Sequence, residues 1–324
     1  MDKRETINIL CATDNNYAPY CGIMLTSLFD SNRDCHFVVY VFEDGSVTGE
    51  NVKKYQRLAK KYGNEIVLKT IDESMVKGFP VNEKTHITLP TYFRLLAADL
   101  LPKEINKIIY LDCDVVVVGD IKLLWNVKLD GFALAGVKSC LESFADMKCN
   151  SLGYSGLYGY FNAGVLVYNL NCWRQFVLSK VIFEYIDIHY NNLPLMDQDA
   201  LNGALFDLKK TLLERFNFMT WYFKREIWEN YSKERQQYIL SESHEAVVVH
   251  YVGDIKPWNY RRYGGPFFSV WEKYRRKSLW RECCDIKPLK KRVKHMVKRY
   301  LFPKLFRSQH TEWVVLPENK RFFK

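Results

Sequence analysis

The chain has 324 residues, of which 48% are hydrophobic and 26% charged, a balance that is typical of folded globular proteins and excludes a disordered or fibrous chain. Its formal net charge is +10, and residues 287–324 account for all of it, because they hold twelve Lys or Arg and two acidic residues. The preceding part is neutral overall, which argues against a basic, nucleic-acid-binding body, so we expect no nucleic-acid partner.

The first half of the chain alternates short apolar runs with amphipathic stretches, which is typical of a parallel sheet covered by helices. In chain order, we predict strand 7–12, helix 22–29, strand 36–42, helix 52–62, strand 65–71, helix 91–100 and strand 107–111. Further on, we predict strands at 132–137, 164–168 and 246–251, and helices at 172–190 and 198–206. This order predicts an α/β fold, with one domain over residues 1–280 and a separate C-terminal segment over 281–324.

The nine cysteines are scattered and have no CxxC spacing, which is typical of a reduced, cytoplasmic protein. Residues 151–173 carry no formal charge and are long enough for a membrane span. Their glycine, asparagine and tyrosine content instead predicts a loop followed by a buried strand. We therefore expect no transmembrane helix and a cytoplasmic location.

Two aspartates directly follow the predicted strand 107–111. Asp112 and Asp114 are two residues apart, so in an extended chain their side chains point the same way, with Cα atoms roughly 6.6 Å apart. At the carboxyl end of a central strand they are well placed to share a divalent cation. A solvated loop is the alternative interpretation, because a D-x-D triplet often occurs by chance.

His250 ends the last predicted strand and is followed by Gly253 and Lys256. A histidine at this position can simply be a hydrogen-bonded edge residue. However, Gly253 permits close approach of the backbone, and Lys256 offers a cation for a phosphate. If His250 joins Asp112 and Asp114, the mixed ligand set favours Mn²⁺ over Ca²⁺.

Two polar segments complete the candidate site. The turn ATDNNY (12–17) follows the first predicted strand, where an α/β sheet binds a nucleotide, although Asp and Asn also favour turns for conformational reasons. It has neither a GxGxxG nor a P-loop spacing. The stretch MDQDALN (196–202) begins a predicted helix, with Asp197 either capping that helix or lining a cleft together with Gln198.

Seven segments together resemble those of glycosyltransferase family 8, in the same order and at compatible spacing. The resemblance covers about residues 5–280 and is greatest to the bacterial lipopolysaccharide and lipooligosaccharide hexosyltransferases. The segments are ATDNNY (12–17), HITLPTYFRL (86–95), YLDCDVVVVGDI (110–121), YFNAG (160–164), MDQDALN (196–202), FNF (216–218) and HYVGDIKPW (250–258).

The resemblance implies a GT-A fold, which is Rossmann-like with a mostly parallel central sheet. It implies retaining transfer of galactose or glucose from UDP-galactose or UDP-glucose to a glycan or glycolipid acceptor. The implied cofactor is Mn²⁺, with Mg²⁺ as the alternative, bound by Asp112, Asp114 and His250.

The resemblance also implies which residues bind the donor. They are Asp14, Asn16 and Tyr17 at the uridine, Gly253 and Lys256 at the phosphates, His86 and Arg94 at the diphosphate or sugar, and Asn162, Asp197 and Gln198 at the sugar. Ala12, Asp112, Cys113 and Asp114 also belong to the implied donor-binding set. Gln198 would lie beneath the anomeric carbon. Because an amide is a poor nucleophile, same-face attack assisted by the leaving phosphate is the favoured hypothesis, with Asp197 as the fallback nucleophile.

The C-terminal segment has a pattern of its own. Apolar residues recur there at helical spacing, and Lys and Arg occupy the other faces; the apolar positions are Leu289, Val293, Met296, Val297, Tyr300 and Leu301. This pattern predicts a basic amphipathic helix that attaches the protein peripherally to the anionic inner face of the cell membrane. A helix packed on the body is the alternative.

Two other functions fit part of the sequence. A sugar-nucleotide pyrophosphorylase also uses a carboxylate-bound metal, but it would need a glycine-rich, basic N-terminal loop, and ATDNNY contains no Gly, Lys or Arg. A non-catalytic protein that binds membranes or polyanions through the C-terminal segment would have no need of Asp112, Asp114, His250 and Lys256 as a set.

Overall fold

The computed structural model describes residues 4–80, 89–259, 265–283 and 313–314. Its strands are β1 (Glu5–Thr13), β2 (Cys35–Glu43), β3 (Glu65–Thr70), β4 (Lys107–Leu111), β5 (Val115–Val117), β6 (Leu134–Lys138), β7 (Phe161–Asn169), β8 (Lys209–Leu212), β9 (Phe218–Met219) and β10 (Val248–His250). Its α-helices are α1 (Ala18–Ser31), α2 (Gly49–Tyr62), α3 (Ala97–Leu100), α4 (Lys122–Trp125), α5 (Glu142–Ser151), α6 (Leu170–Gln175), α7 (Leu178–Ile188), α8 (Met196–Ala204), α9 (Arg225–Trp228), α10 (Lys233–His244) and α11 (Phe268–Lys277).

Seven strands form the central sheet in the order β3-β2-β1-β4-β7-β6-β8. Four neighbouring pairs are parallel, and β7 runs antiparallel to both β4 and β6. The predicted α/β class and the mostly parallel sheet are therefore confirmed. The strand order reverses between β1 and β4, and the crevice at such a reversal is where open α/β sheets bind ligands.

A second, three-stranded sheet, β5-β10-β9, begins directly after β4. The chain passes from one sheet to the other through the triplet Asp112 to Asp114. In the small sheet, β10 pairs antiparallel with β5, and this register places His250 opposite Val115. The pairing brings a histidine from late in the chain beside the two aspartates.

Hydrophobic residues cover both faces of the central sheet. Successive side chains on a strand point to opposite faces, and Ile9 and Leu10 of β1 accordingly belong to two different buried clusters. Trp313, from the C-terminal segment, is also buried in the first cluster, and the N–H of Val314 donates to the carbonyl of Phe223 at 2.9 Å. The domain boundary at 280 stays a prediction, and the predicted helix 289–301 lies outside the described residues.

Two predicted helices differ from the structure. Most of 91–100 is a 3₁₀ helix, Leu89–Leu96, in which Arg94 faces inward and its Nε donates to the Thr91 carbonyl at 3.0 Å. The prediction of one helix over 172–190 is wrong at Val177, whose φ of 50° separates α6 from α7. A β-branched residue rarely adopts this left-handed conformation, so the sequence carries no signal for the break.

The uncharged segment 151–173 contains the buried strand β7, as predicted. Among the helices that the structure describes, none is long and apolar enough to cross a membrane.

Candidate functional site

Asp112, Asp114 and His250 form a cluster where the central sheet meets the small sheet. Each side chain offers one possible ligand atom, and these atoms lie within 4.8 Å of one another. The N–H of Asp112 donates to the carbonyl of Gly164 at 2.8 Å, which continues the pairing of β4 with β7 beyond the end of β4. The structure therefore brings together the three residues that were predicted as metal ligands.

The carboxylate of Asp114 is the most informative member of this cluster. Its Oδ2 accepts a hydrogen bond from Nζ of Lys256, but its buried Oδ1 has no hydrogen-bond partner among the described residues. Oδ1 lies 3.2 Å from Nε2 of His250, whose Nδ1 lies 2.9 Å from Oδ1 of Asn217. Because an amide oxygen only accepts, Nδ1 of His250 carries a proton, and Nε2 is the nitrogen that faces the unpartnered oxygen.

These two facing acceptor atoms fit a divalent cation. Lone pairs at this distance repel each other unless a proton or a cation lies between them, and a carboxylate oxygen with an imidazole nitrogen is a typical donor set for Mn²⁺. Burial opposes ionisation of Asp114, whereas the adjacent Lys256 ammonium favours it, and the pKa of Asp114 lies well below its usual range. The carboxylate is consequently ionised at neutral pH, as a metal ligand must be.

Asp112 is held on its other side by Arg94 and Tyr110. Its Oδ1 accepts from Nη2 of Arg94 at 2.9 Å and from the Tyr110 hydroxyl at 2.8 Å. The Arg94 guanidinium is buried, lies 4.2 Å from the centre of the Tyr110 ring, and donates through Nη1 to the Ala163 carbonyl at 2.7 Å. This buried cation fixes the direction of the Asp112 carboxylate.

Gly164 is the point of β7 that lies closest to the cluster. A Cβ atom there would lie 2.2 Å from Cε1 of His250 and 2.9 Å from Oδ2 of Asp112. Both distances are shorter than real Cβ contacts, so only a glycine leaves room for the two side chains as they stand.

Arg94 also connects the cluster to Asp197. The Oδ1 of Asp197 accepts from the Thr91 hydroxyl at 2.7 Å, and its Oδ2 forms an ion pair with Nε of Arg94 at 2.9 Å. This ion pair is not a hydrogen bond, because the Nε proton points to the Thr91 carbonyl. Burial raises the pKa of Asp197 to about 6, and Arg94 only partly offsets this effect. Asp197 lies in the first turn of α8, whereas the N-cap position belongs to Leu195.

Gln198 is held at both ends of its amide. Its Oε1 accepts from the N–H of Ala163 at 3.0 Å and from Nδ2 of Asn162 at 3.1 Å, and its Nε2 donates to the Tyr160 hydroxyl at 2.9 Å. The Oδ1 of Asn162 accepts in turn from Nδ2 of Asn217 at 2.9 Å. The three predicted sugar-site residues, 162, 197 and 198, therefore lie together beside the cluster.

The turn 12–17 lies at the neighbouring strand end. Asp14 is buried, and its Oδ1 accepts from the N–H of Tyr17 at 2.8 Å, which stabilises the start of α1. Asn16 is exposed, and Tyr17 packs edge-on against Trp258, with 6.0 Å between ring centres. Asn16 is therefore the exposed member of this turn, whereas Tyr17 is half-buried against Trp258.

The remaining predicted residues are Ala12, Cys113, Gly253 and His86. The buried thiol of Cys113 donates to the carbonyl of Ala12 at 3.2 Å, which joins the turn to the aspartate triplet. Gly253 has a φ of 86°, and a Cβ there would lie 2.4 Å from the Trp221 ring, so the close approach requires glycine. His86 lies outside the described residues.

Four further residues shape this site and were not predicted from the sequence. Thr91 and Tyr110 orient the acidic groups, while Tyr160 and Asn217 orient Gln198 and His250. Each of them lies within one of the seven family-like segments, and that membership was the signal that could have identified them.

Comparisons with known protein families, sequences and structures identify the family of this chain. The model of the family described as glycosyl transferase family 8 matches residues 8–262. General stress protein A of Bacillus subtilis is 31% identical over 265 residues, which cover 80% of this chain and 90% of that protein. Lipopolysaccharide 1,3-galactosyltransferase of Salmonella typhimurium is 28% identical over 311 residues, covering 94% of this chain and 87% of that protein.

A solved structure shows the same fold. The galactosyltransferase LgtC in complex with donor and acceptor sugar analogs matches with a TM-score of 0.73 and 25% identity, covering 89% of this chain and all of that one. This match confirms the predicted GT-A fold, and the family match favours a transferase over a pyrophosphorylase or a non-catalytic binding protein. The chain thus belongs to glycosyl transferase family 8, and it is a glycosyltransferase.

Proposed function

We propose that this protein transfers galactose or glucose from a UDP-sugar to a glycan of the lipopolysaccharide type, with retention at the anomeric carbon and with Mn²⁺, or alternatively Mg²⁺, as cofactor. The observation that carries the metal-dependent part is the unpartnered Oδ1 of Asp114 that faces Nε2 of His250 at 3.2 Å, beside Asp112. The sugar and acceptor classes are supported by relatives such as the galactosyltransferase above and a lipopolysaccharide 1,2-glucosyltransferase of Escherichia coli, 27% identical over 293 residues.

On the donor side, Asp112, Asp114 and His250 would hold the cation. The bound cation would supply positive charge beside the diphosphate leaving group. Lys256 already contacts Asp114, so its Nζ can exchange that carboxylate for a phosphate oxygen with little movement. Gly253 allows the backbone to approach the diphosphate, and Asn16 and Tyr17 bind the uridine, with Ala12, Asp14 and Cys113 shaping that part of the site.

On the sugar side, the side chains support same-face attack by the acceptor. The amide of Gln198 is a poor nucleophile and is fixed by Asn162 and Tyr160. Asp197, the fallback nucleophile, has both oxygens occupied by Thr91 and Arg94, so attack through it would first break a buried ion pair. A glycosyl adduct trapped on Asp197 would overturn this mechanism.

The test is a screen of UDP-hexoses for metal-dependent release of UDP. We expect UDP-galactose or UDP-glucose to be hydrolysed slowly with Mn²⁺, and faster when a lipopolysaccharide acceptor is added. Asp114→Asn should lose this turnover. Asp120→Asn is the matched control and should keep it, because Asp120 is exposed and its Oδ1 accepts only from the Lys122 N–H among the described residues. Metal-independent turnover, or none with any UDP-hexose, would contradict the proposal.

We also propose that the protein acts at the cytoplasmic face of the cell membrane, to which the basic C-terminal segment attaches it. The support is the charge distribution of the sequence, because residues 287–324 carry the entire net charge of +10. Basic residues near an anionic leaflet contribute about 1 kcal/mol each, which gives reversible attachment close to a lipid-linked acceptor.

A further inference from the structure

A chain of buried and partly buried side-chain hydrogen bonds runs from α8 to the cluster of Asp112, Asp114 and His250. It starts at Asp199, whose two oxygens accept from Lys148, the Tyr160 hydroxyl and the N–H of Leu195. It continues through Tyr160, Gln198, Asn162 and Asn217 to His250.

Every group in this chain has only one orientation that satisfies its neighbours. Lys148 and the Leu195 N–H donate to one side of the Asp199 carboxyl group, and the Tyr160 hydroxyl donates to the other and accepts from Nε2 of Gln198. Gln198 accepts a hydrogen bond from the backbone N–H of Ala163, which identifies Oε1 of Gln198 as the amide oxygen.

The N–H of Gly164 donates to Asn162 at 3.0 Å, which identifies Oδ1 of Asn162 as the amide oxygen. Asn162 therefore offers an acceptor to Asn217, which must turn its Nδ2 towards it and its Oδ1 towards His250. The carbonyl oxygen of Asn217 consequently faces Nδ1 of the imidazole, and only the Nδ1-protonated form of that ring satisfies it.

We infer that Asn217 is a positioning residue that fixes the His250 ring with a proton on Nδ1, so that Nε2 is the nitrogen that faces the metal position. This inference rests on the proposed metal site. Asn217 is fully buried, and its two amide atoms are matched to Asn162 on one side and His250 on the other. A hydrogen bond to the second nitrogen of a ligating histidine fixes both the ring orientation and the tautomer.

The alternative tautomer would block the site. Without an acceptor at Nδ1, the proton can move to Nε2, which lies 3.2 Å from the unpartnered Oδ1 of Asp114. A hydrogen bond between those atoms would then occupy the position between His250 and Asp114 that the cation needs. Loss of Asn217 therefore acts on the metal site without removing any ligand.

The first experiment reads the tautomer in the metal-free, full-length protein. Long-range ¹H–¹⁵N NMR of protein labelled with ¹⁵N-histidine distinguishes a protonated Nδ1 from a protonated Nε2, and His250→Gln identifies the His250 signals among the seven histidines. We expect Nδ1 to be protonated in the wild type and in Asn217→Asp, which keeps an acceptor for Nδ1. In Asn217→Leu we expect the proton on Nε2.

The second experiment titrates Mn²⁺ alone into the same proteins. We expect Asn217→Leu to bind Mn²⁺ about 10-fold to 100-fold more weakly than the wild type, as is typical when the partner of a ligating histidine is lost. Asn32→Leu is the matched control. Asn32 is also buried and hydrogen-bonded through its amide, but to the backbone of Leu28, Gly119 and Ile121. This control should lose stability while keeping the wild-type tautomer and Mn²⁺ affinity.

The outcomes separate this inference from the proposed function. A wild-type His250 with the proton on Nε2, or an Asn217→Leu variant with unchanged tautomer and Mn²⁺ affinity, overturns the role of Asn217. If the wild type binds no Mn²⁺, the proposed metal site fails, whereas the tautomer shift in metal-free Asn217→Leu still decides whether Asn217 positions His250.

Discussion

At the scale of single residues, Gly164 decides how closely β7 can approach the cluster of Asp112, Asp114 and His250. We predict that Gly164→Ala lowers metal-dependent UDP release by about 100-fold, because the added methyl group would displace the His250 ring or the Asp112 carboxylate by about an ångström. Steady-state assays over a range of Mn²⁺ concentrations measure this effect.

Gly49→Ala is the matched control for that substitution. A Cβ at Gly49, the first residue of α2, would meet no atom within 4 Å. The control should retain wild-type activity. Wild-type Mn²⁺ dependence in Gly164→Ala would show that the cluster tolerates the methyl group.

Asp197 gives a prediction for pH dependence. Because burial raises its pKa to about 6, the folded protein holds a proton that the unfolded chain releases near pH 4. A raised pKa contributes stability below the unfolded pKa, and this contribution is lost as pH rises through about 6. Relative to Asp197→Asn, the wild type should lose about 2 kcal/mol of unfolding free energy between about pH 4 and pH 7.

Urea unfolding of both proteins at the two pH values tests this prediction. The comparison between the proteins cancels the contributions of the other carboxyl groups. A stability difference that does not change with pH would show that Arg94 fully compensates the burial of Asp197.

At the scale of secondary-structure elements, a buried ion pair joins α5 to α8. Nζ of Lys148 lies 2.7 Å from Asp199, and their side chains are 5% and 0% exposed. We predict that Lys148→Met destabilises the protein by about 3 to 5 kcal/mol, because it leaves a buried carboxylate without its cation. Urea unfolding measures the loss.

Two further variants make this test specific. Adding Asp199→Asn to Lys148→Met should recover part of the loss, since the neutral amide no longer needs a cation. Lys180→Met in α7 removes an exposed ion pair with Glu184, at 3.8 Å, and should cost less than about 1 kcal/mol. Equal losses in Lys148→Met and Lys180→Met would contradict the prediction.

The elements also differ in how far their sequences predicted them. The apolar run of β7 identifies a buried strand, yet it carries no information on direction, and β7 runs antiparallel to both neighbours. Similarly, the break at Val177 has no glycine or proline to mark it. Strand direction and such breaks depend on the packing of neighbouring elements, whereas the strands themselves follow from local hydrophobic pattern.

At the scale of the whole molecule, the C-terminal segment is connected to the body at a second place. Trp313 is buried in the same hydrophobic cluster as Ile9, so truncation near residue 285 would remove a core contact together with the basic residues. A cleaner test keeps the full chain and replaces six basic residues by Gln: Lys290, Lys291, Arg292, Lys294, Lys298 and Arg299.

This substituted protein should no longer sediment with anionic vesicles, because about 1 kcal/mol of attraction is lost with each charge. Its metal-dependent UDP release should stay at the wild-type level. Equal binding of the two proteins to anionic vesicles would refute the membrane role of these six residues. Binding of the wild-type protein to neutral vesicles would show instead that apolar contacts attach it.

The sequence by itself determined the α/β class, the family, and the candidate residues Asp112, Asp114 and His250 that meet where the two sheets join. It could do so because strand pattern, the spacing of Asp112 and Asp114, and the order of seven segments are local properties of the chain. The tertiary structure decided which atoms face each other. Asn217 reaches His250 across 33 positions, and Arg94 reaches Asp112 and Asp197 from a third segment. Such hydrogen bonds depend on how β9 and β10 pair and how α8 packs. The same packing buries Asp197, and this burial raises its pKa to about 6.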